Sequence, residues 1–280
     1  MKRIIYDIGA NNGDDVAYYL KKCDLVVAVE ANPVLCDLMT TRYSDAIQQG
    51  RLAIENIVLT DEKESGEVCF YRHKHNDGLS QFPRPSDTTH FETIHLSSKS
   101  VMQLLSEYGD PYYIKIDVEH YDTAILRSLF EHQVRPPFIS AESHSIDTFA
   151  LLVALGGYRA FKIIEGELVS ERYGHHPIHT HHGIETHSFT RHSAGPFGDD
   201  IPGDWMTPDH FHRLLGLAGV GWRDIHASNV VMAADTLSVS MWPYFKKACY
   251  DTVIRKIKAP ARILRSMIYS MLGIQPKHWH

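Results

Sequence analysis

Asp7-Ile8-Gly9-Ala10-Asn11-Asn12-Gly13-Asp14 is the stretch that decides how this chain folds. Before it, Arg3–Tyr6 is a short apolar run that predicts a buried strand; after it, Asp14–Lys22 predicts a helix. Gly9 and Gly13 permit a tight strand-to-helix turn whose backbone comes close to a ligand. A dinucleotide fingerprint would place glycines at positions 11 and 14, where this chain has Asn11 and Asp14. Carboxylates at Asp14 and Asp15 sit where the positive end of a helix would otherwise receive a pyrophosphate, and they favour a cationic sulfonium with an amino-acid tail.

Working outward, Leu25–Glu30, Leu52–Leu59, Tyr112–Asp117 and Phe138–Glu142 read as further buried strands. Pro33–Tyr43, Lys99–Tyr108 and Tyr121–His132 read as helices, the first opened by Asn32 as cap and Pro33 in the first turn. This alternation predicts an α/β fold with a doubly wound, mostly parallel sheet. Glu67–Arg72 and Thr93–Leu96 read as candidate extra strands in the longer link between the third and fourth main strands. Residues 166–222, rich in His, Gly, Pro and Asp and periodic only at Pro208–Leu217, read as a long insertion within the last hairpin of the sheet, with Ile225–Ala233 returning as the final strand. The second strand ends at Glu30, seventeen positions after Gly13, where an acid can accept hydrogen bonds from both ribose hydroxyls of a nucleoside.

The 280 residues, 44% hydrophobic and 22% charged, suffice for one large domain, expected over residues 1–243, without disulfide help. Cys23, Cys36, Cys69 and Cys249 are scattered and form no C-x-x-C pair, which fits a reducing cytoplasm. Met1-Lys2-Arg3 leads into too short an apolar run for an export signal, and no stretch approaches the roughly 18 apolar residues that span a bilayer. The net charge of −6 divides into +7 over residues 244–280 and −13 over the rest, so the acidic body is a poor nucleic-acid binder. In the tail, Val253, Ile257, Leu264, Ile268 and Leu272 share one helical face, with Arg255, Lys258, Arg262 and Arg265 opposite. Two readings stand for this tail: packing on the body or on a second copy of the chain, or contact with the anionic inner face of a membrane.

Asp117 and Glu119 lie two apart at the end of one expected strand, and Glu142 and His144 repeat that spacing at the end of the next. If the strands are neighbours, three carboxylates and an imidazole converge beyond their carboxyl ends, where ligands gather in such sheets. These four are the candidate catalytic residues; Asp117, Glu142 and His144 are also candidate ligands for Mg²⁺ or Mn²⁺, or the group presents a general base to a hydroxyl. Seven histidines lie between Gly174 and Ser193, but without accompanying Cys or Asp they suit contact with a substrate better than a metal. That loop is expected to overhang the ligand site.

Asp7–Gly13, Val27-Ala28-Val29-Glu30-Ala31-Asn32-Pro33 and Lys115-Ile116-Asp117-Val118-Glu119 together resemble the FkbM-type methyltransferases over residues 7–142. Ser193–Asp200 with Trp205, and Trp222–Ala227, are similar to segments of larger members. The resemblance implies a Rossmann-like class I methyltransferase sheet, S-adenosylmethionine as donor, and O-methylation of a hydroxyl on a sugar or glycan-pathway intermediate. The rivals are a small natural-product hydroxyl, or a cofactor-binding subunit without catalysis. Asp7, Gly9, Gly13 and Glu30 match the family's cofactor positions, and Asn11 and Asp117 beside them complete the expected set. His192 and Trp205 are the expected acceptor contacts, Trp205 as a stacking surface for a sugar. Where the family usually has Gly after Asp-Val-Glu, this chain has His120.

Overall fold

The computed structural model describes residues 2–61, 66–234 and 244. The apolar run before Gly9 is strand β1 (Ile4–Ile8), which starts one residue later and ends two residues later than the expected Arg3–Tyr6. Helix α1 is a single turn (Val16–Tyr19) instead of the expected Asp14–Lys22. Its flanks tighten into three-residue bonding, with Val16 N–H on Gly13 O and Lys22 N–H on Tyr19 O. Asp15 gives its helix no side-chain cap because its carboxylate accepts from Ser193 Oγ and from Ala194 N–H.

Strand β2 (Leu25–Val29) follows, then α2 (Pro33–Arg42), where Asn32 accepts the N–H of Val34 and Pro33 occupies the first turn. A short α3 (Ser44–Gln48) leads to the third segment. The sequence predicts one strand there, Leu52–Leu59; the chain instead makes two, β3 (Leu52–Glu55) and β4 (Val58–Thr60), that belong to different sheets. The two expected extra strands are real and longer: β5 (Gly66–His73) and β6 (Phe91–Ser100), which form a small three-stranded sheet with β4. Ser100 closes β6 and caps α4 (Val101–Tyr108), its hydroxyl accepting from Gln103 N–H while Gln103 Oε1 takes the N–H of Ser100.

Strand β7 (Tyr113–Ile116), α5 (Asp122–Glu131), β8 (Phe138–Ser143), α6 (Ile146–Ala154) and β9 (Ala160–Glu165) complete the alternation. The insertion is more regular than its composition suggests: it holds α7 (Val169–Arg172), a hairpin β10 (His176–Thr180) and β11 (Gly183–His187), and α8 (Pro208–Ala218). The final strand β12 (Gly221–Ser228) begins four residues before the expected Ile225 and ends at Ser228 instead of Ala233.

The large sheet runs β3-β2-β1-β7-β8-β12-β9, and only β12 opposes the rest, paired antiparallel to β8 and to β9. The chain winds from β1 outward to β3, then returns to lay β7 against the other side of β1. A cleft opens beyond the carboxyl ends of the strands at that reversal. Alternation builds a core on each face: Ile4, Tyr6 and Ile8 of β1 join Val27, Ile114 and Leu126 on one side, while Ile5 joins Val26, Ala28, Tyr19 and Met39 on the other. No helix among the described residues is long and apolar enough to cross a membrane. The sequence readings for residues 245–280, the basic tail, lie outside the described residues.

Candidate active site

A cleft of about 690 Å³ lies over the ends of β1, β2, β7 and β8. Its floor begins at Gly9, at φ +79°, where an added Cβ would fall 1.8 Å from the backbone oxygen of Asp117. Only glycine lets the turn after β1 pass this close to the end of β7. The N–H groups of Gly9 and Ala10 both donate to Val29 O, which ties the turn to β2.

Glu30 stands at the end of β2 with its carboxylate held from both sides. Oε2 accepts the N–H of Asn11 and Oε1 the N–H of Asn32, each at 2.8 Å. Burial pushes its pKa up to about 7, against the pull of those two donors. The carboxylate lines the cleft with lone pairs to spare, the arrangement a ribose diol needs.

Asp117 follows β7, its N–H donating to Ile8 O. Asp7 and Lys115 are register partners across β1 and β7, and the buried Lys115 ammonium stands 3.5 Å from Asp7 and 3.4 Å from Asp117 while donating to Gly9 O. Burial opposes that charge, yet Asp117, Asp7, Asp15 and Asp224 hold the lysine pKa well above its ordinary value. Across the site, His144 Nε2 lies 2.9 Å from Glu142 Oε2 and 3.8 Å from Glu119 Oε2. Asp117, Glu119, Glu142 and His144 each bring one donor atom to within 4.8 Å of the others, and no other such group of three or more occurs among the described residues. Burial first, then neighbouring carboxylates, pushes Glu119 up to about 7 and raises Glu142, while contact with Glu142 lifts His144 to about 9. Glu119 and His120 have φ of +38° and +72°, a left-handed turn that accounts for glycine as the usual residue at position 120. The His120 ring instead stands 4.8 Å from that of His144, inside the cleft.

One wall comes from the small sheet and the turn that its strands carry. Ile57, Leu59 and Phe70 make it apolar, and Asp77 accepts a hydrogen bond from Asn32 Nδ2 at 2.9 Å, closing the wall against the Glu30 end. Phe82 packs edge-on against Tyr121 beside it. None of these was foreseen as site residues; the only sequence signal was the turn-forming Asn76-Asp77-Gly78 in an otherwise long link.

Several expected site residues stand elsewhere. Asp7 is buried against Lys115 and does not line the cleft. Gly13, at φ +76°, backs onto Met39 and Tyr43 and does not line the cleft. Asp14 and Asp15 tie the insertion down: Asp14 accepts from Thr190 and pairs with Arg42, and Asp15 holds Ser193 and Ala194. Trp205 is buried in the core against Phe138, with the Lys162 ammonium 4.9 Å from its ring, so it offers no stacking face to an acceptor in the cleft. The histidine-rich hairpin is also misplaced by the sequence reading. His179 and His181 share a hollow with Arg3, Tyr112 and Phe138, at the amino ends of the strands, and His179 is bound to Asp200. Of that loop only Arg191 and His192 line the cleft, as does Trp222, the aromatic that the sequence reading passed over.

Sheet order, reversal-point cleft and the fixed acid at the end of β2 define a Rossmann-like chain of the class I methyltransferase type. Comparison with known families makes this specific: the chain belongs to the FkbM methyltransferase domain family, whose profile matches residues 7–175. Membership implies S-adenosylmethionine as the donor. Among solved structures, the chain is similar to an FkbM methyltransferase from Methylobacillus flagellatus, with 17% identity and a TM-score of 0.37 over 58% of this chain and 39% of that one. It is also similar to a SAM-dependent O-methyltransferase from Thermotoga maritima, with 9% identity and a TM-score of 0.36 over 84% of this chain and 62% of that one. A precorrin-8w decarboxylase from Methanobacterium thermoautotrophicum gives 10% identity and a TM-score of 0.36 over 82% of each chain. No curated protein matches.

Proposed function

We propose that this protein methylates a hydroxyl of a sugar or glycan-pathway intermediate, with Glu30 holding the donor's ribose and the Asp117 cluster receiving the acceptor. The observation that carries this reading is the convergence of four donor atoms within 4.8 Å of one another in the same cleft as the Glu30 carboxylate. S-adenosylmethionine supplies an electrophilic methyl. The acceptor oxygen forms a bond to that carbon as the S–CH₃ bond breaks, its electron pair goes to sulfur, and the hydroxyl proton passes to the carboxylate–imidazole group. Orientation supplies most of the acceleration in such an in-line displacement, so fixed side chains matter more than strong ones.

The same four residues suit a divalent cation. Three oxygen donors and an imidazole match the preferences of Mg²⁺ or Mn²⁺, and the raised Glu119 and Glu142 are what uncompensated carboxylates in a buried site become. Lys115 offsets Asp7 and part of Asp117, leaving His144 as the single imidazolium that Glu119 and Glu142 share. When bound, the cation would lower the pKa of a coordinated acceptor hydroxyl. The full-length protein with radiolabelled donor and a panel of sugars and nucleotide sugars tests the reading. Methyl incorporation that a chelator abolishes and Mg²⁺ or Mn²⁺ restores supports it in full. Incorporation untouched by chelation removes the cation and leaves Glu142 and His144 as the base; incorporation only into non-sugar hydroxyls overturns the acceptor class.

A further inference from the structure

The acceptor end of the cleft has a charge pattern that the proposed reaction does not by itself require. Asp117, Glu119 and Glu142 make its lining strongly acidic, with Glu30 and Asp77 adding to the charge at the donor end. Arg191 is the one permanent cation lining the cleft among the described residues. Among the described residues no carboxylate is paired with Arg191, whereas Arg42 and Arg72 each pair with an acid.

Arg191 is exposed, but the backbone that carries it is tied down on both sides. The residues on either side of Arg191-His192 are tied to the start of α1: Thr190 Oγ1 donates to Asp14 Oδ2 at 2.7 Å, and Ser193 Oγ donates to Asp15. Ala194 N–H adds a second bond to Asp15 at 2.9 Å. Two buried or half-buried acids of the turn region thus hold a two-residue tip over the cleft. Trp222 is built in a comparable way. A Cβ on Gly166 would lie 2.3 Å from its indole nitrogen, so the ring backs flat onto bare backbone, yet it is 46% exposed toward the cleft. Its neighbour Gly221 pairs with Ser143 across β12 and β8, and Trp222 lines the same cleft as Glu142 and His144.

We infer that the acceptor is an anionic sugar, whose phosphate or carboxylate sits on Arg191 while its ring lies against Trp222. The chemistry is direct. A guanidinium takes either oxyanion with two parallel hydrogen bonds, and an indole face takes the C–H face of a pyranose. The acids around the cluster repel the same anion, so it can seat in one orientation, with a hydroxyl and not the charged group at Asp117. This inference rests on the methyl-transfer reading for its purpose, but not for its test.

The test is equilibrium binding to the full-length protein saturated with S-adenosylhomocysteine, which carries no methyl to transfer. Three probes are compared: a neutral methyl hexoside, a hexose phosphate and a methyl hexuronoside. At least one charged probe should bind tenfold or more tightly than the neutral one, and Arg191→Ala should erase that advantage. Arg191→Lys should keep part of it for phosphate and less for carboxylate, which separates the two sources. Trp222→Ala should weaken all three probes by a similar factor. Equal binding of charged and neutral probes, no binding of either charged probe, or an advantage that survives Arg191→Ala overturns the inference. Failure of S-adenosylhomocysteine itself to bind would instead overturn the methyltransferase reading beneath it.

Discussion

Gly9 presses its bare Cα against the backbone oxygen of Asp117, so that a Cβ there would sit 1.8 Å away. This contact sets the distance between the donor turn and the acid cluster. Gly9→Ala must both enter a left-handed conformation and push β1 from β7, and it should cost about 3 kcal/mol or more. Chemical denaturation checks it; a midpoint within error of wild type would mean that the turn is looser than described.

Asp117 should be needed for turnover and not for donor affinity, because it faces Glu142 and His144 across the cluster while Glu30 carries the nucleoside. With whichever acceptor the screen yields, Asp117→Asn should lower turnover by about 100-fold or more. Its S-adenosylhomocysteine affinity should change little. Near-normal turnover would move the chemistry to His120 or to His192.

The two tryptophans of the insertion and the last strand should separate cleanly. Trp205→Ala empties a packed site against Phe138 and Lys162 and should cost about 3–5 kcal/mol of stability. Trp222→Ala should leave the melting temperature nearly unchanged, given its exposure, and raise the acceptor KM. Loss of stability at Trp222 with an unchanged KM would make it a structural residue.

That pair also shows how far the sequence could be read. Gly9, Glu30 and the spacing of Asp117, Glu119, Glu142 and His144 depend on strand ends, which local patterning reveals, and the structure brings those residues to one cleft. Which face of the body an insertion packs on is decided by non-local contacts. Asp200, which takes Tyr18, Lys22 and His179 together, draws the histidine hairpin to the amino end of the sheet, and no local signal announces that. The break in 52–59 was hidden for a related reason: β3 and β4 are both apolar, and only their partners, β2 and β6, tell them apart. Trp205 and Trp222 look equally able to stack on a sugar until their burial is known.

The buried acids give the ligand-free protein a pH-dependent stability. Burial raises Asp15 and Glu30 to about 7, from ordinary values of 3.8 and 4.5, so the folded chain holds protons that the unfolded chain has released. Stability should therefore fall as pH rises through 7, and His144, lifted to about 9, carries the fall on toward pH 9. His226, buried and lowered to about 3, works the other way below pH 6.5, since unfolding lets it take up a proton. The clear window is thus from about 6.5 to 8. Melting temperature should drop across it in wild type and drop less in Glu30→Gln; a rise across that window would contradict the burial of these acids.

The donor site itself is the most direct test of the whole account. Glu30 is held by Asn11 and Asn32 with its remaining lone pairs toward the cleft, so S-adenosylhomocysteine should bind at one site by calorimetry. Glu30→Ala removes a charge-assisted bidentate contact and should weaken that binding by about 2 kcal/mol, roughly 30-fold. Equal affinity in wild type and Glu30→Ala, or tighter binding of a dinucleotide such as NAD than of S-adenosylhomocysteine, would contradict it.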